Sequence, residues 1–493
     1  MREKNQSTAT LTLASSHLPS RRRFLHEGTF GVGSVALAFL LHHERLLADP
    51  GKPDLEPKHF DLKPKAPHHA PKAKAMISLF MQGGPSHVDL LDPKPKLTEL
   101  DGKPFPGTIQ YDNAAEASSK VLGSPWKFAK HGKCGADVSE LLPHLARIVD
   151  DVTIVRSMHT DVNNHVQSIH ALNTGRIVSG HPVLGSWLCY GLGSESQDLP
   201  AFVALPDPVS LPVSGVEHWS NGWLPSVFQG TVVRSREPRI PNLDPPPHLK
   251  NAPQAELLKY LDELNRNHLA MHPNELDLEA RIASYELAAH MQTAAKEALD
   301  LSKETLKTKN AYGLDDPATA EYGTRCLIAR RLVERGVRFV QVFTSNQQWD
   351  NHGSIRTSLP AACKKTDKPS AALVADLKQR GLLDTTLVAW GGEMGRLPVI
   401  QNDSGPAKVG RDHNTYGFTW WFAGGGFKAG LTYGVTDEFG HRAIEKKVSQ
   451  HDLHTTLLHL FGLDAKKLIY KRGATELSLL NGQDGKVVKD LLG

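Results

Sequence analysis

Six runs of almost uninterrupted apolar residues punctuate the chain: Ala75–Met81, Val152–Val155, Ala201–Leu205, Val337–Phe343, Thr385–Trp390 and Phe418–Ala423. A half-buried strand would alternate apolar and polar positions. Continuous runs of strand length fit strands covered on both faces, the condition of a parallel sheet. Between them apolar positions recur at helical spacing in Val138–Ile148, Glu321–Arg335 and Ser370–Arg380. Strand and helix in alternation predict an α/β fold, a mostly parallel sheet with helices on both faces. Residues 206–250 are loop-like and rich in Pro and Trp, and 252–309 carry charged helices at Ala255–His268 and Asn274–His290. Both stretches read as insertions into one large domain, residues 75–493. No internal repeat is visible.

The N-terminal part follows different rules. Residues 49–74 are rich in Pro, Lys and His without hydrophobic periodicity, a composition that reads as a semi-extended linker. Ahead of it, Ser20-Arg-Arg-Arg-Phe-Leu-His26 and the uncharged run Gly28–His42 resemble a twin-arginine export signal, residues 1–48. The run is shorter than the roughly 20 residues of a membrane span. It predicts an exported or periplasmic protein whose partner is the twin-arginine machinery, a route that carries folded proteins.

Charge then excludes one class of partner. Residues 1–75 hold twelve Lys or Arg against seven Asp or Glu, so the formal +4 resides there and the rest is close to neutral. No basic face for nucleic acid remains. Four cysteines are too few for a disulfide scaffold, and Cys189 and Cys326 fall in apolar helical patterns that favour buried thiols.

In open parallel sheets the ligand site lies beyond the carboxyl ends of the strands. Residues able to hold a metal gather there. His87 and Asp89 follow the first run; on an extended loop, two positions apart, they would point to one side. Asp350 and His352 follow Phe343, Glu393 follows Trp390, His413 precedes the last run, and His454 lies near a helix start. Carboxylate and imidazole suit divalent Zn, Mn, Fe or Ca, and the lack of cysteine argues against a closed structural zinc site. Singly, such a pair is more often a turn with a solvated His than a ligand, and Asp452 fits a helix cap.

In this order the motifs resemble the alkaline phosphatase and sulfatase superfamily, and more narrowly the exported, sulfatase-like family called domain of unknown function 1501. The resemblance covers residues 75–493 and rests on Gly83-Gly-Pro-Ser-His-Val-Asp89, Trp349-Asp-Asn-His-Gly353, Glu393-Met-Gly-Arg396, Gly410-Arg-Asp-His413 and Asp452-Leu-His454 with the helix that follows. It implies an alkaline-phosphatase-like fold, a metal role for Asp350, His352, Glu393 and His413, and Asp89 and His454 as further metal candidates. It also marks a departure. The superfamily's nucleophile segment ends Thr-Gly-Arg, as Thr174-Gly-Arg176 does, yet His165 stands at the nucleophile's place, and Gln167 and Ile169 replace its Pro and Arg. A formylglycine is thereby excluded at this position. Ser157, Thr160 and Ser168 are the nearby hydroxyls.

The reading that follows is an exported, metal-dependent hydrolase of small sulfated or phosphorylated esters that uses metal-activated water, with His165 or His87 as general acid or base. The alternative is a binding or scaffold protein that keeps the fold without the catalysis.

Overall fold

A computed structural model of the chain describes residues 60–109, 118–160, 162–244, 254–272, 276–401 and 405–493. The twin-arginine-like segment and the start of the linker lie outside them. All six apolar runs are strands of one nine-stranded sheet. Its strands are β1 Ala75–Phe80, β2 Val152–His159, β3 Phe202–Leu205, β4 Thr231–Val232, β5 Phe339–Phe343, β6 Thr386–Gly391, β7 Phe418–Ala423, β8 Leu431–Tyr433 and β9 Val448–Ser449. They lie in the order β8-β2-β7-β6-β1-β5-β3-β4, with β9 continuing the β8 edge of β2. Every pairing is parallel except those of β7, which runs against both β2 and β6.

The longer helices are α1 His165–Thr174, α2 Leu184–Leu192, α3 Gln254–Met271, α4 Leu276–Leu299, α5 Ala320–Val333, α6 Ile355–Gln379 and α7 Gln450–Leu460. The period-2 alternation of the strands divides the interior between two cores. Ile77, Leu79, Val340, Val342, Val388 and Trp421 face α5 and α6. Met76, Phe80, Phe339, Phe343, Leu387 and Phe422 face α1, α2 and α7. Apolar cover on both faces is why these strands read as continuous runs, and the predicted α/β class holds.

Three local expectations need correction or extension. Val138–Ile148 is not a helix: Ala136–Ser139 pairs with Phe128–His131 as a hairpin, and helix is confined to Leu145–Ile148. Pro143 breaks what the apolar spacing suggested. Ser370–Arg380 is the last part of the much longer α6, which carries Pro360 and Pro369 inside it. Residues 60–74 form neither helix nor strand, yet they are pinned to the domain. Phe60 is buried against Phe228 and Tyr470, and the Lys65, His68 and Lys72 amides donate to Leu192, Gly462 and Leu460 carbonyls. All four cysteines are free thiols; Cys134 is exposed, and burial pushes Cys189 and Cys326 up to about 12.

Candidate metal centre

The carboxyl ends of β1, β2, β5 and β6 open onto one edge of the sheet, and the reversed β7 begins there. Gln82, at the exit of β1, receives the amide of Trp349 on its carbonyl. Gly83 must then lie flat against the loop after β5. Its φ is +105°, and a Cβ on it would fall 2.4 Å from the Asp350 nitrogen. Trp349 is buried edge-on against Trp390, which anchors that loop to the core. On the far side Gly395–Arg396 pairs antiparallel with His413–Asn414, setting His413 opposite Arg396. His165 is the first residue of α1, whose start is fixed by the Asn164 side chain accepting from the Val166 amide.

These constraints bring His165, Asp350, His352 and His413 together, with one ligand-capable atom of each lying within 4.8 Å of the others. Each imidazole is oriented through Nδ1. That of His165 donates to Glu393 Oε1 at 2.7 Å, that of His413 to the Asn163 carbonyl at 2.7 Å, and that of His352 to Gln401 Oε1. With each Nδ1 donating, Nε2 is the nitrogen that all three rings turn toward the cluster, free to face a cation or to carry a proton. Those Nε2 atoms lie 3.2, 2.9 and 3.4 Å from Asp350 oxygens for His165, His352 and His413 respectively. The Nε2 atoms of His352 and His413 face each other at 3.0 Å. His165 Nε2 is buried without a hydrogen bond, since the nearby Asp350 oxygen is off its line.

Two lone pairs 3.0 Å apart, a third orphaned nitrogen and one carboxylate are mutually repulsive unless a cation or protons sit among them. Four atoms bound tetrahedrally at about 2.0–2.1 Å lie about 3.3 Å apart, close to the 2.9–3.4 Å between the imidazoles and Asp350 and the 3.0 Å between His352 and His413. Imidazoles whose other nitrogen is tied to a carboxylate, amide or backbone oxygen are the usual ligands of such ions. The donor set fits a borderline divalent cation.

The electrostatics agree. Burial would raise the Asp350 carboxyl, but Arg396 at 2.5 Å and the three imidazoles hold it well below the usual carboxylate range. Burial pushes the His165 imidazolium down, yet Asp350 and Glu393 outweigh it and lift the metal-free ring to about 9. Burial, aided by Arg396, lowers His413. The His352 side chain is 34% exposed whereas His165, Asp350 and His413 are 14% or less, so the cluster opens to solvent beside His352.

Not every sequence candidate arrives there. Glu393, expected as a ligand, is fully buried behind His165 and accepts from its Nδ1 and from the Gly83 amide at 2.8 Å. In this arrangement it holds the His165 ring through Nδ1 and lies outside the four-residue cluster. His165, expected as acid or base, is one of the four residues whose ligand-capable atoms converge. Asp89 is buried in a bidentate pair with Arg411, 2.7 and 3.0 Å, and accepts from Ser86. His87 directs Nε2 to the Gly440 carbonyl at 2.7 Å. The two diverge because Ser86 opens a helical turn, His87–Leu90, in which positions two apart lie on opposite sides. His454 directs Nε2 to the Leu172 carbonyl at 2.7 Å, and Asp452 closes a capping box with Ser449. Ser157, Thr160 and Ser168 donate to the carbonyls of Lys446, Val162 and Val162. Arg396, Gln401, Asn163 and Gly83 had no assigned role in the sequence; the buried Arg396, which also donates to the Gly83 and Gly84 carbonyls, is the most consequential of them.

The family model described as a protein of unknown function, DUF1501, matches residues 73–492. Among solved structures the chain is similar to a lipoteichoic acid synthase from Listeria monocytogenes, at 10% identity over 85% of this chain and 79% of that one with a TM-score of 0.35. It is also similar to the PsFucS1 sulfatase from Pseudoalteromonas sp., at 14% identity over 86% and 72% with a TM-score of 0.37. A third is a protein of the alkaline phosphatase superfamily from Vibrio parahaemolyticus, at 12% identity over 85% and 74% with a TM-score of 0.35. A search of curated proteins found no match.

Proposed function

The chain belongs to the DUF1501 family, and from that premise we propose that it is an exported, metal-dependent hydrolase of sulfate or phosphate esters. The observation that carries this reading is the convergence of three Nε2 atoms and one carboxylate beside an opening at His352. Asp350, His165, His352 and His413 would hold the cation. When bound it supplies a Lewis acid for the ester oxygen and activates water near neutral pH. The protein's own contribution is orientation: Glu393, Gln401 and the Asn163 carbonyl fix the imidazoles, and Arg396 fixes Asp350. The ester class rests on the motif order and on the family resemblance it carries. Export by the twin-arginine route is part of the proposal, motivated by Arg21-Arg22-Arg23; changing all three to Lys should leave precursor in the cytoplasm, and normal export would refute it. Among the described residues no helix is long and apolar enough to cross a membrane.

The second reading, a binding protein without catalysis, is favoured by the engagement of Ser157, Thr160 and Ser168 with backbone carbonyls. One experiment separates the two: metal analysis of the full-length protein, followed by 4-nitrophenyl sulfate, phosphate and phosphonate assays. Stoichiometric metal and hydrolysis, both lost in Asp350→Ala and His413→Ala with an unchanged circular dichroism spectrum, support the hydrolase. Metal without hydrolysis of any ester moves the reading to a binding protein. Wild-type protein that takes up no Zn, Mn, Fe or Ca on titration would remove the site.

A further inference from the structure

A second concave site lies on the same edge of the sheet, beyond β3 and β4. This cavity of about 480 Å³ has an apolar wall of Pro206, Val209, Leu211 and Val232, and Arg234 and Arg236 also line it. Val209 is 82% and Leu211 51% exposed, large apolar side chains left in water beside a concavity. Arg234 and Arg236 are exposed, and neither guanidinium has an ion-pair partner among the described residues. Asp207 and Glu237 line the cavity as well, but each already has its own cationic partner. Asp207 pairs with the buried Arg325 at 2.8 Å and with Lys365 at 2.9 Å, and Glu237 pairs with Arg239 at 2.8 Å. The cavity therefore presents two uncompensated positive charges next to an apolar surface. Ser235 adds a buried hydroxyl without a hydrogen-bond partner.

The cavity is tied to the metal centre by the chain itself. Ser210 Oγ, in its wall, accepts from the Asn346 amide at 2.9 Å. Asn346 precedes Asp350 by four residues, which span at most ~14 Å when extended. Arg325 fixes the two floors relative to one another, because its guanidinium donates to the carbonyls of Leu205 and Phe343 at the ends of β3 and β5.

We propose that this cavity is the subsite for the non-reacting part of the substrate, a sugar unit carrying a further sulfate or phosphate beside the unit whose ester is cleaved. The inference rests on the hydrolase reading of the metal centre. The apolar wall suits the C–H face of a sugar ring, and Arg234 and Arg236 suit a tetrahedral oxyanion, which guanidinium groups bind through paired N–H donors. A substrate spanning both sites would thus be an oligosaccharide with anionic groups on more than one unit.

The test uses zinc-loaded full-length protein and three fluorescent tetrasaccharides of one backbone: sulfated, phosphorylated and unmodified. Fluorescence polarisation should show tighter binding of the sulfated or the phosphorylated probe than of the unmodified one, the stronger of the two identifying the anion. The Arg234→Gln/Arg236→Gln double variant should weaken that binding at least tenfold and remove most of its salt dependence, while 4-nitrophenyl ester hydrolysis stays unchanged. Val209→Ser/Leu211→Ser should weaken all three probes. Anionic probes that bind no better than the unmodified one, or a double variant that binds them as wild type does, would overturn the subsite. Arginine-dependent probe binding in a protein that hydrolyses no ester leaves the binding site standing and removes the hydrolase; the opposite pattern does the reverse.

Discussion

Glu393→Gln discriminates between a carboxylate that holds the metal and one that only aims His165. In the structure Oε1 takes both the His165 Nδ1 donor at 2.7 Å and the Gly83 amide at 2.8 Å, while Oε2 is buried without a partner. A glutamine keeps the shape and one carbonyl acceptor but loses the charge that makes His165 a strong donor. Changes of this kind typically weaken metal binding by about 10- to 100-fold, or about 1.4–2.7 kcal/mol. Its amide nitrogen would occupy the place of Oε2 and meet no acceptor, costing roughly a further 1–3 kcal/mol of folding stability. The two effects separate experimentally. Zinc affinity is measured by competition with a chromophoric chelator, and stability by urea unfolding of the metal-free protein. Expected are a full stoichiometry of zinc at reduced affinity and a lowered urea midpoint, against outright loss of zinc in His165→Ala and Asp350→Ala. A Glu393→Gln protein that binds no zinc would make Glu393 a ligand. One that binds as tightly as wild type would show that the Glu393 to His165 hydrogen bond does not tune the centre.

Other outcomes follow from the same geometry. Arg411→Met should leave the Asp89 carboxylate buried and unpaired, lowering stability by about 3–5 kcal/mol, and a loss under 1 kcal/mol in denaturant unfolding would contradict the pairing. His454 is buried and its pKa is lowered to about 4 from 6.5, chiefly by burial. Its neutral ring therefore stabilises the fold above pH 6.5, and about 3 kcal/mol of that is lost as pH falls through 4. His454→Gln should flatten the acid limb of a stability-pH curve, and an unchanged limb would refute the assignment. Ser157→Ala, Thr160→Ala and Ser168→Ala should each retain most of any ester hydrolysis while losing about 0.5–1.5 kcal/mol of stability; a phosphorylated or sulfated peptide from this region, trapped during turnover and seen by mass spectrometry, would establish a side-chain nucleophile instead.

The strands of the centre were legible because burial on both faces leaves few polar residues in them, such as Ser78 and Gln341. Strand direction was not: Phe418–Ala423 is as apolar as its parallel neighbours, and its reversal, which brings His413 to the site, has no compositional mark. The edge strands β4, β8 and β9 are two or three residues long, too short for any period to register. At the candidate centre the two-residue spacing of Asp350 and His352 belongs to a pair that the structure brings into one cluster, and the same spacing at His87 and Asp89 belongs to a pair that diverges. Spacing alone does not tell a loop laid on Gly83 from a turn of helix. Glu393 illustrates a further limit. Ligand and orienting carboxylate are the same residue type at the same strand end, and only the 2.7 Å contact with His165 Nδ1 tells them apart.

The order in which the four converging residues leave the ribosome has its own consequence. His165 comes first and His413 last, nearly 250 residues later, and at about 5–20 residues per second that interval lasts on the order of 10–50 s. A nascent chain that already exposes His165, Asp350 and His352 still lacks the fourth donor. It also lacks β7, which lies between β2 and β6. On the proposed reading, metal capture would be a post-translational event of the nearly complete chain, and a fragment ending before residue 413 would leave the ribosome without the four-residue cluster.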